Sequence, residues 1–215
     1  MSGSKIGSSS FAPSTAIFST TVHATVSFTT TQALAIGEAI ERGLKRRDAE
    51  GADTEHMSPV CTIMIGRLDD WLKKVVERDN IAIDPRVLDF AGIACTKKAY
   101  EIYKERGYRT KVLTAAYRHP LHWTEFIGGD MVLTIPYKYQ VRFNNSDFPV
   151  EAAIDRPVDT NYIGQLRTLP DFVKAYDEMS VEEFDSYGPV NITLEQFANG
   201  YDDLVKIIRK FMIQY

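Results

Sequence analysis

Short runs of β-branched and apolar residues alternate along the chain with longer stretches of helical periodicity. Four such runs lie at residues 22–28, 61–67, 111–118 and 131–136. Each is followed by a connection long enough to cross over a sheet, and the pattern therefore predicts consecutive βα units and a parallel sheet. The predicted fold class is α/β, with about four parallel strands and crossover helices.

The stretches between the runs show apolar residues at helical spacing. Residues 32–47 form the first predicted helix, with Thr31 as its N-cap. A second helix is predicted from about residue 68 to 78, and its first turn carries Asp69 and Asp70, which suit the positive end of the helix dipole. This structural role is favoured over a catalytic one. Further helices are expected over residues 85–106, 120–127, 161–176 and 193–211.

The composition is that of one sizeable domain with a small appendage. The chain has 215 residues, of which 44% are hydrophobic and 25% charged. We expect three segments: a flexible leader rich in Ser and Thr at 1–20, a strand-containing domain at 21–142, and a helical C-terminal extension packed on it at 143–215.

Charge and cysteine content exclude several classes of partner. The formal net charge of −4 gives no electrostatic reason to expect nucleic acid. The chain has no run of about 18 apolar residues, and we therefore expect no membrane span. Its two cysteines show no metal-ligand spacing and are expected to be reduced thiols, and the predicted location is cytoplasmic.

Polar side chains stand where the predicted strands end. Ligands of parallel-sheet proteins bind at the carboxyl edge of the sheet, which directs attention to Thr25, Arg67 and Arg118. A guanidinium presents several donors in a fixed fork, and two forks from neighbouring strand ends can converge on one phosphate. The alternative is that Arg67 and Arg118 pair with acidic groups of the helix layer.

The four strand motifs together resemble the transaldolase family. They read V-H-A-T-V-S-F, I-G-R-L-D-D-W-L, A-A-Y-R and G-G-D-M-V-L-T-I-P, within residues 22–140. The resemblance implies strands five to eight of a (β/α)₈ barrel, a partial TIM-type barrel. It also implies transfer of a dihydroxyacetone unit between sugar phosphates of the pentose phosphate pathway, through a lysine Schiff base and without a cofactor.

The resemblance assigns roles to particular positions. Arg67 and Arg118 match the arginines that bind the substrate phosphate. The other matched positions would line the substrate site, and they are His23, Thr25, Thr62, Met64 and Ala116. The chain departs from the family pattern at His23, where an Asn is usual, at Met64, where an aromatic is usual, and at Ala116, where a Ser is usual.

No catalytic residue is assigned from the sequence. The family's catalytic Asp, Glu and Lys come from strands that would precede Val22. Lys111 lies at the wrong end of its strand, and Lys138 is expected to be a solvated residue just after the last strand. The helical pair Lys97 and Lys98 is a weaker candidate still.

The histidines leave further alternatives. His23 is interpreted as a hydrogen-bonded residue of the site, with a general base as the alternative. His119 and His122 are three residues apart, but Pro120 lies between them and the sequence indicates no third ligand. We therefore predict no metal site.

Two functions remain open. One is a transaldolase-like enzyme whose missing half is either supplied by another chain or dispensed with. The other is a non-catalytic half-barrel that keeps a sugar-phosphate-binding edge or acts as a scaffold for a partner. A four-stranded half-barrel leaves two unpaired edges and an open apolar face. The expected partner is therefore a second copy of the chain or a complementing chain.

Overall fold

The sheet follows the predicted order of βα units. A computed structural model describes residues 22–212. Its four strands pair in the order β1-β2-β3-β4, and all three pairings are parallel. Their bounds are β1 His23–Ser27, β2 Val60–Met64, β3 Lys111–Ala115 and β4 Val132–Leu133. The predicted α/β class, with four parallel strands in an open partial barrel, is confirmed.

Helices connect the strands and continue beyond the last one. The connection between β2 and β3 is the longest and holds three helices, whereas a single short helix joins β3 to β4. The helices are α1 Thr30–Ala49, α2 Ile65–Arg78, α3 Pro85–Leu88, α4 Ala91–Glu105, α5 Leu121–Thr124, α6 Tyr137–Asn144, α7 Thr160–Leu166, α8 Pro170–Tyr176 and α9 Gly188–Met212, with a 3₁₀ turn at Val181–Glu183.

The N-cap of α1 differs from the prediction. Thr29 caps the helix, because its side-chain oxygen accepts from the Gln32 N–H at 3.0 Å, and the prediction of Thr31 was wrong. The hydroxyl of Thr30 donates to the carbonyl of Cys95 in α4, at 3.1 Å. The contact between Thr30 and Cys95 therefore fixes where the helix begins. Three adjacent threonines are equally good caps by sequence, so the sequence does not show which one is used.

Two predicted helices are each interrupted. The stretch 85–106 divides into α3 and α4, and the Gly92 N–H at the start of α4 donates to the buried carboxylate of Asp69 at 2.8 Å. The stretch 161–176 divides into α7 and α8 at Pro170, which has no N–H to donate and disfavours helical backbone in the residue before it.

Apolar side chains form two buried clusters. One lies between the sheet and the helices α1, α4 and α5, and it includes Cys61 and Ile63 of β2 and Val112 of β3. The other lies between the helix layer and the C-terminal helices, and it includes Leu72, Leu166 and Phe172. Because side chains alternate across a strand, the neighbours of Cys61 and Ile63 face the opposite side of the sheet.

The C-terminal helices pack against the helix layer. α7 contacts α3 and α4, α8 contacts α1 and α4, and α9 contacts α2. The leader predicted at 1–20 lies outside the described residues. Within residues 22–212, no helix combines the length and apolar character that a membrane crossing requires.

Candidate functional site

Two arginines stand at the same edge of the sheet. Arg67 is the third residue after β2, in the first turn of α2, and Arg118 is the third residue after β3. Gly66 brings the two segments together, since a Cβ placed on it would overlap the carbonyl oxygen of Ala116 and lie 2.9 Å from Cγ of Arg118. The absence of a side chain at Gly66 therefore permits this close approach.

Arg118 is held by an acidic partner. Its Nε donates to Oδ1 and Oδ2 of Asp70 at 3.2 and 2.9 Å, and its Nη2 donates to Oδ2 at 2.7 Å. Its Nη1 donates to the carbonyl oxygens of Ala116 and Tyr117 at 2.9 and 3.1 Å. Arg118 therefore pairs with an acidic group of the helix layer, which was the alternative to phosphate binding in the sequence analysis.

Arg67 faces a cleft between α2 and α9. The cleft has a volume of about 220 Å³. Its lining side chains include three cations, Arg67, Lys73 and Lys74, against a single carboxylate, that of Asp70. An anion entering it would meet an excess of positive charge.

Two buried donors in this cleft have no hydrogen-bond partner among residues 22–212. They are Nε of Arg67 and the hydroxyl of Thr193, whereas Nη1 of Arg67 donates to the side chain of Gln196. Buried polar atoms are rarely left without a partner, because burial removes their hydrogen bonds to water and costs free energy if no other hydrogen bond replaces them. An oxygen acceptor that enters the cleft can accept a hydrogen bond from either of these donors.

The predicted lining residues occupy different parts of the sheet. His23 is the first residue of β1, pairs with Val60 and is exposed, and its Nε2 lies 2.9 Å from Oγ1 of Thr62. This position is at the amino end of the sheet, opposite the arginine edge. Thr25 is an exposed residue within β1, and the Thr62 side chain is 4% exposed.

Met64 and Ala116 are closer to the arginines. Met64 ends β2 and pairs with Ala115. Ala116 follows β3 with a φ of 64°, in the left-handed region that costs a non-glycine residue about 1–2 kcal/mol. This backbone turn directs the carbonyl of Ala116 toward the Arg118 guanidinium.

Asp69 forms the centre of a buried network instead of a solvated first turn. α2 begins at Ile65, and Asp69 therefore lies in the second turn of the helix, where it is fully buried. Its two carboxylate oxygens accept from the Gly92 N–H at 2.8 Å and from Nε2 of His122 at 2.7 Å. The prediction that Asp69 and Asp70 occupy the first turn was wrong, because the helix starts three residues earlier than predicted.

The network perturbs the pKa values of its members. Burial would raise the pKa of Asp69, but His119, His122 and the Gly92 N–H favour the carboxylate and bring the pKa below its ordinary 3.8. Burial lowers the pKa of His122 below its ordinary 6.5, although Asp69 opposes this change. The pair is therefore a carboxylate and a neutral imidazole near neutral pH.

His119 and His122 do have a third candidate metal ligand close by, contrary to the sequence prediction. Asp69, His119 and His122 place ligand atoms within 4.8 Å of one another. However, Nδ1 of His122 accepts from the backbone N–H of Arg118 at 3.1 Å. A neutral imidazole that accepts at Nδ1 carries its proton on Nε2, and it therefore donates to Asp69 and has no lone pair for a metal. The arrangement indicates a structural role for this cluster.

Comparisons with known proteins agree on one family. The family model described as "Transaldolase/Fructose-6-phosphate aldolase" matches residues 19–204. The chain belongs to this family. A transaldolase of Prochlorococcus marinus (strain NATL1A) is 31% identical over 124 residues, which are 56% of this chain and 36% of the relative. A transaldolase of Acidobacterium capsulatum is 24% identical over 148 residues, 68% of this chain and 41% of the relative. The chain thus matches well under half the length of these relatives.

Three of the lysines considered from the sequence are each paired with acceptors or exposed. Nζ of the buried Lys97 donates to Glu125 and to the carbonyls of Ala153 and Arg156, at 2.6–2.8 Å. These three acceptors match the three N–H donors of the Lys97 side chain. Lys111 is the first residue of β3 and pairs with Asp130, and Lys138 is exposed in α6.

Sequence reasoning missed several residues of this candidate site. Gln196 of α9 accepts from Arg67, and Thr193 of α9 lines the same cleft, more than 120 positions later in the chain. No sequence motif links them to Arg67. Helical spacing does place Asp70 and Arg67 on the same face of α2, but the pairing of Asp70 with Arg118 depends on the neighbouring position of β2 and β3.

Proposed function

We propose that this chain is the phosphate-binding part of a transaldolase and binds a sugar phosphate at the carboxyl edge of β2 and β3. Family membership supports sugar-phosphate metabolism as its setting. The observation that carries the proposal is the buried, unpartnered Nε of Arg67, which faces a cleft with three cationic side chains. A phosphate oxygen is an acceptor of the charge and geometry that a guanidinium donor selects.

The two arginines contribute differently in this proposal. Arg67 supplies a free donor, together with the hydroxyl of Thr193. Arg118 is already satisfied by Asp70 and by two carbonyls, and its contribution is to hold Asp70 and to add positive charge at the edge. The lining residues Thr62 and Met64 remain candidates for contacts with the sugar.

We propose further that the chain alone does not transfer dihydroxyacetone. An imine-forming lysine needs an unprotonated amine beside the substrate, which desolvation without acceptors favours. Lys97 has three acceptors. Lys111 pairs with an acidic residue and lies at the end of β3 opposite the arginines, and Lys138 is solvated. Transfer would then require a polypeptide that carries the Schiff-base lysine, and the catalytic residues of this chain stay unassigned.

Replacing Arg67 with glutamine is expected to weaken the binding of fructose 6-phosphate. A hydrogen bond to a charged group contributes about 1.5–3 kcal/mol, which corresponds to roughly 10- to 100-fold in the dissociation constant. Isothermal titration calorimetry with fructose 6-phosphate and with unphosphorylated fructose measures the effect. The wild-type chain should prefer the phosphate ester, and Arg67→Gln should lose most of that preference.

The matched control for this experiment is Arg78→Gln. Arg78 lies on the same helix α2, its side chain is 64% exposed, and it pairs with the neighbouring Asp79. The same charge is removed from the same helix, away from the cleft, and the affinity should change little. Equal weakening by both variants, or equal affinity for the ester and for fructose, would contradict the proposed phosphate site.

Borohydride reduction tests the catalytic half of the proposal. A Schiff base between a lysine and the dihydroxyacetone unit of fructose 6-phosphate is converted by borohydride to a stable secondary amine, which peptide mass analysis locates. We expect no adduct on the folded chain. A stoichiometric adduct on one lysine would show that the chain alone forms the Schiff base, and it would refute the proposal that the chain alone is inactive. The proposal of phosphate binding, which Arg67→Gln tests, would be unaffected.

A further inference from the structure

Helix α9 carries an apolar stripe that is exposed over most of its length. From Leu194 to Met212 every residue except Val205 is exposed. The α9 stripe consists of six large apolar residues, each about half exposed or more: Leu194, Phe197, Tyr201, Leu204, Ile208 and Phe211. Only the first part of the helix is anchored, through the buried Pro189 and Thr193 beside α2.

A helix of this kind needs a partner. Most helical stability in proteins comes from burying an apolar face, and isolated helices are marginal in water. α9 runs for 25 residues, contains Gly200 at its middle, and buries none of its stripe within the described chain. A contiguous exposed apolar surface of this size is typical of a protein–protein interface.

The spacing of the stripe indicates a helical partner. Successive members are separated by 3, 4, 3, 4 and 3 residues, which is the a/d spacing of a coiled coil. This series reads the same in both directions, and an antiparallel copy therefore places Leu194 opposite Phe211 of the second chain. The next layers pair Phe197 with Ile208, and Tyr201 with Leu204.

The volumes of these residues favour the antiparallel arrangement. Every antiparallel layer combines one aromatic ring with one aliphatic side chain. A parallel pair would place Phe197 against Phe197, Tyr201 against Tyr201 and Phe211 against Phe211, while other layers held two smaller aliphatic residues. Evenly filled layers pack better than alternately crowded and sparse ones.

The charges along α9 favour the same arrangement. Glu195 lies near the start of its exposed part, Asp202 and Asp203 lie at the centre, and the last part carries the basic residues Lys206, Arg209 and Lys210. Antiparallel pairing brings Glu195 of one helix opposite Lys210 of the other, whereas Asp202 and Asp203 of both copies lie together at the centre in either direction. Parallel pairing would collect six basic side chains at one end, which is unfavourable.

We propose that α9 is the dimerisation helix of this protein and pairs with α9 of a second copy as an antiparallel coiled coil. The two-fold axis passes between Asp202 and Asp203, halfway between Leu194 and Phe211. Such an interface is isologous, since the same surface is used by both copies. The proposal does not depend on sugar-phosphate binding.

Replacing Leu204 with aspartate is expected to dissociate the dimer. Leu204 lies next to the axis and fills a layer with Tyr201 of the other copy, and the substitution therefore disrupts two adjacent layers. We expect at least about a 30-fold weaker dimer, the effect of losing a central interface residue. Light scattering coupled to size-exclusion chromatography, over a range of protein concentrations, measures the mass.

The matched control is Asn199→Asp. Asn199 is exposed on the face of α9 opposite the stripe, and its substitution changes the net charge by the same amount. This variant should remain a dimer. A wild-type chain that is monomeric at all concentrations, including one that then binds anionic lipid vesicles through α9, would overturn the proposal, as would a dimer that Leu204→Asp leaves intact.

Disulfide cross-linking determines the direction of the pairing. Leu194 and Phe211 are 17 residues apart, about 25 Å along one helix, too far to be bridged within a chain. The double variant Leu194→Cys, Phe211→Cys should therefore form covalent dimers on oxidation, whereas Leu194→Cys alone should not. The natural Cys61 and Cys95 are buried and do not compete. Efficient cross-linking of the single variant would overturn the antiparallel arrangement.

Discussion

Replacing Asp69 with alanine is expected to lower the free energy of unfolding by about 3–5 kcal/mol. The fully buried carboxylate accepts from the Gly92 N–H and from Nε2 of His122, and both donors would be left without a partner. The substitution also leaves a cavity between α2, α4 and α5. Urea denaturation followed by circular dichroism measures the change.

The control for this prediction is the neighbouring Asp70→Ala. The Asp70 side chain is 39% exposed and pairs with Arg118, which is 34% exposed. Solvent-exposed ion pairs contribute about 0–1 kcal/mol, and the expected loss is correspondingly small. If the two variants were equally stable, Asp69 would not be the structural centre that the geometry indicates.

The same network predicts how stability depends on pH. Because the folded pKa of His122 is below 6.5, its contribution is fully present above pH 6.5 and is lost as the pH falls through the folded pKa. The lowered pKa of Asp69 adds a second loss below pH 3.8. His122→Gln should remove the first loss, which denaturation curves above and below pH 6.5 would show as a flatter profile.

Replacing Gly66 with alanine is expected to destabilise the fold and to disrupt the arginine edge together. The new Cβ would overlap the carbonyl oxygen of Ala116, a backbone atom that cannot rotate away. Overpacking of this kind costs about 1–3 kcal/mol. α2 would have to move away from the end of β3, and Arg67 would move with it. We therefore expect lower stability in urea and weaker binding of fructose 6-phosphate in calorimetry.

Gly43→Ala is the matched substitution on α1. A Cβ at Gly43 meets no atom within 4 Å. Alanine is a better helix former than glycine, and this variant should gain about 0.5–1 kcal/mol of stability while fructose 6-phosphate binds unchanged. A Gly66→Ala protein as stable as the Gly43→Ala protein would contradict the close packing of α2 against β3.

The four strands could be predicted because each depends on local properties. Runs of β-branched and apolar residues, separated by helical periodicity, are sufficient to indicate parallel βα units, and Cys61, Ile63 and Val112 occupy the helix-covered face that such runs require. The start of α1 could not be predicted in the same way. Thr29, Thr30 and Thr31 are equivalent locally, and the bond from Thr30 to Cys95 selects the cap.

The candidate site shows the same division. The sequence indicated that Arg67 and Arg118 follow neighbouring strands, and both do. It did not indicate that Arg118 would be satisfied by Asp70, or that Nε of Arg67 would be buried without a partner. These distinctions depend on the packing of α2 against β3 and α9, which has no signature in any one segment.

Local pattern therefore determined the class of fold, the succession of parallel βα units and the edge at which the two arginines lie, because side-chain alternation and helical periodicity act over a few residues. Tertiary structure decided which charges are paired, which are free and where each helix begins. The deciding contacts join residues that are far apart in sequence: Arg118 meets Asp70 across 48 positions, and Arg67 meets Gln196 across 129. Only the folded chain brings such residues within hydrogen-bond distance.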